Sequence, residues 1–135
     1  MHASDDSHFE TIHTTGEASS GILKYASSVA VGTNIYFTPS RQNNVGKFDT
    51  VTDTFSTINT TGQAASGDSK YISSVVVGSS IYFTPLTQNN VGKLDLTTDT
   101  FSTIPTTGAA ASGINKYRSS VALGQIVYFT PHFQE

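Results

Sequence analysis

The sequence has no cysteine, no tryptophan, a single methionine, four prolines, and charged side chains at only 13% of its 135 positions. Without cysteine there is no disulfide framework, no zinc–thiolate site and no thiol nucleophile, so any staple must come from packing or association. The same absence suits either side of a membrane and leaves the localisation unknown. No run approaches the roughly 18 consecutive apolar residues of a membrane-spanning helix, and Met1-His2-Ala3-Ser4-Asp5-Asp6 lacks the basic and apolar regions of a signal peptide. The expectation is a soluble chain with no membrane partner. Positive charge is scarce as well: seven Lys+Arg against ten Asp+Glu give a net charge of -3. A nucleic-acid footprint needs clustered positive charge, so no nucleic-acid partner is expected. What is abundant is Ser, Thr, Gly and Val, a β-rich composition.

These residues recur in register. Phe9-Glu10-Thr11-Ile12, Phe55-Ser56-Thr57-Ile58 and Phe101-Ser102-Thr103-Ile104 stand 46 residues apart, as do Lys24-Tyr25, Lys70-Tyr71 and Lys116-Tyr117. Tyr36-Phe37-Thr38-Pro39, Tyr82-Phe83-Thr84-Pro85 and Tyr128-Phe129-Thr130-Pro131 keep the same offset, and about two thirds of aligned positions are identical between the first two copies. The chain is therefore a single repeat domain over 1–135, with repeats at approximately 9–54, 55–100 and 101–135.

Within one repeat, Tyr71 to Val77, then Gly78-Ser79-Ser80, then Ile81 to Pro85 reads as a hairpin of two strands. Tyr71, Ser73, Val75 and Val77 point one way and Ile72, Ser74 and Val76 the other, which predicts a strand covered on both faces. Asn90 to Asp95, a turn at Leu96-Thr97-Thr98-Asp99, and Thr100 to Ile104 alternate apolar with polar residues, as half-exposed strands do. No stretch has the 3.6-residue period of an amphipathic helix. The expected fold is all-β: each 46-residue repeat is a four-stranded antiparallel meander, graded from a dry first strand to a wet fourth. A unit of that size and content matches one blade of a β-propeller. Leucine-rich and ankyrin repeats are shorter and carry helices, and a single sandwich would not repeat.

The run Val91-Gly92-Lys93-Leu94-Asp95-Leu96-Thr97-Thr98-Asp99-Thr100-Phe101-Ser102-Thr103-Ile104, the Gly/Ser-rich loop after it, Ser119-Ser120-Val121-Ala122-Leu123-Gly124 and Ile126-Val127-Tyr128-Phe129 together resemble a kelch-type repeat. Where that family has Gly-Gly after the second strand this chain has Thr38-Pro39, Thr84-Pro85 and Thr130-Pro131, and Phe55 or Phe101 replaces its usual Trp. The resemblance implies a propeller whose first strands line a central channel.

Propellers have 4 to 8 blades, so three blades leave two apolar flanks open. The expectation is a ring completed by homo-oligomerisation, to six blades in a dimer, which is preferred, or nine in a trimer. Aligning the copies puts Glu135 opposite Asn43 and Met1 opposite Lys47, which predicts that residues 1–8 complete a blade of a neighbouring chain.

By the resemblance, Lys24, Tyr25, Lys70, Tyr71, Lys116 and Tyr117 stand where the chain enters the first strand, at one channel mouth. A circle of ammonium and phenol groups there would hold a small anion, a carboxylate or a sugar. The competing reading packs each Lys stem against the adjacent blade, bonds its nitrogen to loop carbonyls, and puts each Tyr in the core. Asn43-Asn44 and Asn89-Asn90 read as turn residues or ligand contacts. Asp49 with Asp53 and Asp95 with Asp99 suggest Asx turns rather than calcium, because the glycine and glutamate of an EF-hand loop are missing. His2, His8, His13 and His132 do not recur and have no metal-ligand spacing. Asn59-Thr60-Thr61 fits an N-glycosylation acceptor by chance. With no GxSxG elbow and no phosphate loop, neither catalytic residues, a metal nor a cofactor is expected.

Near-identical repeats favour a non-enzymatic scaffold or binding module that self-assembles from short chains and presents its faces to a protein or peptide. One alternative is a multivalent lectin-like module, for which missing Trp is unfavourable and six Tyr are favourable. Another is a fragment or engineered piece of a longer propeller that serves as a model of assembly.

Overall fold

A computed structural model describes residues 2–3 and 9–134. The fold is all-β. Its strands are β1 (His2–Ala3), β2 (Phe9–Glu10), β3 (Tyr25–Val31), β4 (Asn34–Pro39), β5 (Asn44–Asp49), β6 (Thr54–Asn59), β7 (Tyr71–Val77), β8 (Ser80–Pro85), β9 (Asn90–Asp95), β10 (Thr100–Pro105), β11 (Tyr117–Leu123) and β12 (Ile126–Pro131). Within each sheet consecutive strands pair antiparallel, giving the four-stranded sheets β3-β4-β5-β6 and β7-β8-β9-β10 and the two-stranded sheets β1-β2 and β11-β12. We call β3–β6 unit 1, β7–β10 unit 2 and β11–β12 unit 3. A unit thus starts at Tyr25, Tyr71 or Tyr117, out of phase with a repeat counted from Phe9, Phe55 or Phe101. Among the described residues no helix is long and apolar enough to cross a membrane.

Two-residue turns fold the first hairpin of each unit. In unit 2 the turn is Gly78-Ser79, and Gly78 stands at φ +58, a left-handed value that costs glycine little. The other end of that hairpin carries a bulge. Ser73 pairs with Thr84 but Tyr71 pairs with Pro85, so Ile72 is an extra residue. The same shift lies between Tyr25 and Ser28 and between Tyr117 and Ser119. A strict two-residue period puts Tyr71 beside Ser73 and Val75; the bulge reverses this and turns the ring onto the face of Ser74, Val76 and Phe83.

That displacement assembles the core. Tyr71, Phe83 and Phe101 form an aromatic trio with ring centroids 5.9–6.3 Å apart, and Tyr25, Phe37 and Phe55 form its counterpart in unit 1. Each trio closes over a third-strand glycine: a Cβ on Gly92 would meet Phe101 at 3.0 Å and Tyr71 at 3.1 Å. Units stack face to face. Tyr71, Ile81, Phe83, Leu94 and Phe101 of unit 2 are buried against Tyr36 and Val45 of unit 1, with Val29, Val31 and Ile58 at the margin. The first strands β3, β7 and β11 run side by side through the stack.

The expected gradient from dry first to wet fourth strand is corrected here. In unit 2 the driest strand is the second, β8, where all residues but Tyr82 are buried, whereas β7 is only half-buried beyond Tyr71; in unit 1 the driest is the third, β5. A first strand is an edge of its sheet and has a hydrogen-bonded neighbour on one side only, while the second and third strands are paired on both edges. The fourth strand, β10, is mostly exposed apart from Phe101 and Thr103. Single 3₁₀ turns at Gly16–Ser19, Gly62–Ala65 and Gly108–Ala111 occupy the Gly/Ser-rich loops, which hydrophobic periodicity does not reveal. Thr60 Oγ1 donates to Ala64 O at 2.7 Å and fastens one such turn over buried Ala64.

Because Tyr71 and Phe101 leave no room over the glycine, Gly92→Ala is expected to destabilise the fold by about 1–3 kcal/mol, the usual cost of overpacking. Urea unfolding followed by circular dichroism measures it, with Gly124→Ala, which meets nothing within 4 Å but stands at φ +62, as the backbone-strain control.

Candidate functional site

The repeated polar residues converge where one unit meets the next. Lys70 is fully buried; its Nζ donates to Asn43 Oδ1 of unit 1 at 3.0 Å and to Gly67 O of its own loop at 2.9 Å. Lys116 repeats the arrangement one unit on: also fully buried, it donates to Asn89 Oδ1 at 2.8 Å, Thr87 O at 3.1 Å and Gly113 O at 3.4 Å. Backbone bonds run alongside, from Lys70 N to Ser40 O at 3.2 Å and from Lys116 N to Leu86 O at 3.0 Å. Lys24, in unit 1, is half-buried and donates to Ala18 O at 2.8 Å.

The tyrosines beside these lysines point inward. Tyr71 donates its hydroxyl to Asn90 Oδ1, and Tyr25 donates to Asn44 Oδ1 at 2.5 Å. The two members of each Asn pair therefore divide their work: Asn43 and Asn89 accept the ammonium of the next unit, and Asn44 and Asn90 accept the phenol of their own. Gln42, Gln88 and Gln134 brace the same loops, each donating to the carbonyl of Ser20, Ser66 or Ser112.

Of the six residues expected at a channel mouth, Lys70 and Lys116 have their nitrogens bonded across this joint, and Tyr71 has its hydroxyl bonded within unit 2. Lys24 and Tyr25 sit in its unit 1 counterpart, and Tyr117 packs against Phe129 with ring centroids 5.6 Å apart. Burial lowers the pKa of Lys70, partly offset by Asp68, and lowers that of Lys116. Burial also holds the Tyr71 phenol well above its ordinary range. These shifts are those of groups removed from water.

The aspartates build turns. Asp49 Oδ1 accepts from Val51 N at 2.8 Å, and Asp95 Oδ1 accepts from Thr97 N at 2.8 Å and Thr97 Oγ1 at 2.6 Å, which holds the Asp95 carboxyl below its usual range. Asp99 ends its turn at φ +50 and pairs with Lys47 of unit 1 at 2.8 Å. Asp99 also raises the Lys47 pKa. Among the described residues no three His, Asp or Glu side chains come together as a metal site would require.

A cavity of about 670 Å³ opens on the far face of unit 1, lined by Tyr25, Ile35, Phe37, Phe48 and Phe55 and walled on one side by Glu10, Ile12 and Thr14. Its floor is the counterpart, 46 residues earlier, of the unit 2 face that unit 1 covers. At the other end of the stack the outer face of unit 3 exposes Val121, Leu123, Ile126 and Tyr128. Of residues 1–8, expected to complete a blade of a neighbouring chain, Met1 and residues 4–8 lie outside the described residues, as does Glu135. The chain matches no protein-family model and no curated protein.

Two outcomes are expected. Lys70→Met leaves Asn43 Oδ1 and Gly67 O without their donor and should cost about 1–3 kcal/mol, the penalty of a buried unpaired acceptor, measured by urea unfolding at neutral pH. Tyr71 reports on alkaline pH. An unfolded tyrosine loses its proton near pH 10 while native Tyr71 keeps it, so above that pH the native state binds more protons and its stability falls. The stability deficit of Tyr71→Phe relative to wild type, measured by thermal melting, should therefore shrink as pH rises above 10.

Proposed function

We propose that the chain is a non-enzymatic β-propeller module, a scaffold or binding surface whose ring is completed by further copies of itself. The observation that carries this reading is the use made of the repeated polar side chains. Lys, Tyr and Asn recur in register, as a catalytic or ligand set would, yet Lys70 and Lys116 bond Asn43 and Asn89 across from one unit to the next, and Tyr25 and Tyr71 bond Asn44 and Asn90 within their own. A protein whose repeated polar chemistry is consumed in joints has its outer loops and faces left for recognition. Stacked antiparallel units with their first strands side by side are compatible with blades around an axis, and the kelch-type pattern supports the same arrangement.

The number of blades follows from closure. Two chains make six, inside the usual range of 4 to 8, and three make nine; the dimer is preferred. The partner beyond its own copies is a protein or peptide. Native mass spectrometry at low micromolar concentration is expected to give twice 14.3 kDa, with ring-shaped particles in negative stain. A species at three times that mass moves the proposal to nine blades, and a monomer overturns it. Binding on a glycan array would replace the scaffold reading by a lectin-like one.

A further inference from the structure

We infer that the cavity on unit 1 is the receptor for the outer face of β11–β12 of a second copy, docked in the register that units 1 and 2 already show within one chain. This rests on the assembly reading above and specifies its seam.

The internal joint supplies the template. There Val29, Val31 and Tyr36 of unit 1 lie against Ile81, Phe83, Leu94, Phe101 and Tyr71 of unit 2, and Tyr36 is only 4% exposed. Forty-six residues before that receiving face stand Ile35, Phe37, Phe48, Phe55 and Tyr25, identical but for Phe48 in place of Leu94, and they line the cavity. The covering side chains recur 92 residues after Val29, Val31 and Tyr36 as Val121, Leu123 and Tyr128, exposed by 60%, 72% and 50%. Both halves of a joint that the chain forms internally thus lie open at its two ends.

The cavity wall adds register. Ile12 stands 46 residues before Ile58, the fourth-strand residue that packs at the margin of the internal joint. The receptor therefore already carries a fourth-strand wall, and the incoming β11–β12 brings a first and a second strand to it. Within units 1 to 3 the two halves do not meet. Units 1 and 3 lie on opposite faces of unit 2, and three blades are too few for a ring. The contact is heterologous, one face of each kind per copy, so blocking either face stops growth at that end only.

Leu123→Asp charges the exposed covering face, and Ile35→Asp charges the receptor; Thr50→Arg, at an exposed position on the cavity rim, is the second receptor variant if Ile35→Asp loses its circular-dichroism spectrum. By native mass spectrometry each variant alone is expected at 14.3 kDa. An equimolar mixture of a covering-face and a receptor variant is expected to form a heterodimer of twice that mass and nothing larger, because each supplies the face the other lacks. Wild-type assembly that survives Leu123→Asp, or a mixture that stays monomeric, overturns this seam while leaving self-assembly standing. A monomeric wild type overturns both.

Discussion

Each four-stranded sheet in this protein is apolar on both faces, and a face of that kind is stable only when another covers it. Everything else depends on meeting that demand by stacking the same unit on itself. Unit 1 covers one face of unit 2 with Val29, Val31 and Tyr36, and unit 3 borders the other through β11 against β7. The scarcity of cysteine and of charge fits this arrangement: the energy lies in repeated aromatic and β-branched contacts, each worth roughly 1.5–3 kcal/mol when fully buried.

Stacking apolar faces does not by itself set how one sheet sits on the next, since hydrophobic contact is non-directional. The lysine–asparagine joints supply direction. A buried ammonium is costly unless all its donors are met, and Lys70 and Lys116 meet theirs only when the Asn43 and Asn89 loops of the preceding unit stand at the right height. Any slip between units would strand a charge in the interior, so these residues select one stacking arrangement out of several that would bury similar apolar area. Burial lowers the pKa of both lysines, which marks the cost that two bonds to Lys70 and three to Lys116 offset.

Much of this was legible in the sequence because repetition aligns evidence from three places. The bounds of β7 and β9 and the exposure of β10 follow from alternation and turn residues alone. Two things did not. The bulge at Ile72 adds one residue to a strand whose pattern looks continuous, and so the direction of Tyr71 was read one face away from where it packs. The partners of Lys70 and Tyr71 were hidden for a different reason: spacing gives the period of Lys-Tyr and of Asn-Asn, both 46 residues, but only the stacked sheets reveal that the first Asn serves the next unit and the second its own. The signal was the joint recurrence of the two pairs. A ligand-binding ring and a structural joint share that signal, and burial is what separates them.

The repeats differ from one another in some places and not in others. Side chains inside the joints are held nearly constant, as Tyr25/Tyr71/Tyr117 and Phe37/Phe83/Phe129 illustrate, whereas the loop entering each first strand varies from Ile22-Leu23 to Asp68-Ser69 to Ile114-Asn115. In all three loops the second of these residues holds φ near +50, a conformation that Asn tolerates and Leu resists. The backbone shape is therefore imposed by the joint, which needs Lys24, Lys70 or Lys116 to turn inward next in sequence, and the side chains riding on it are free to differ. Ile22, Leu23 and Ile114 are largely exposed on these tips. Variation gathers at these exposed tips while the joints beneath stay uniform, a division of labour that suits the recognition scaffold proposed above.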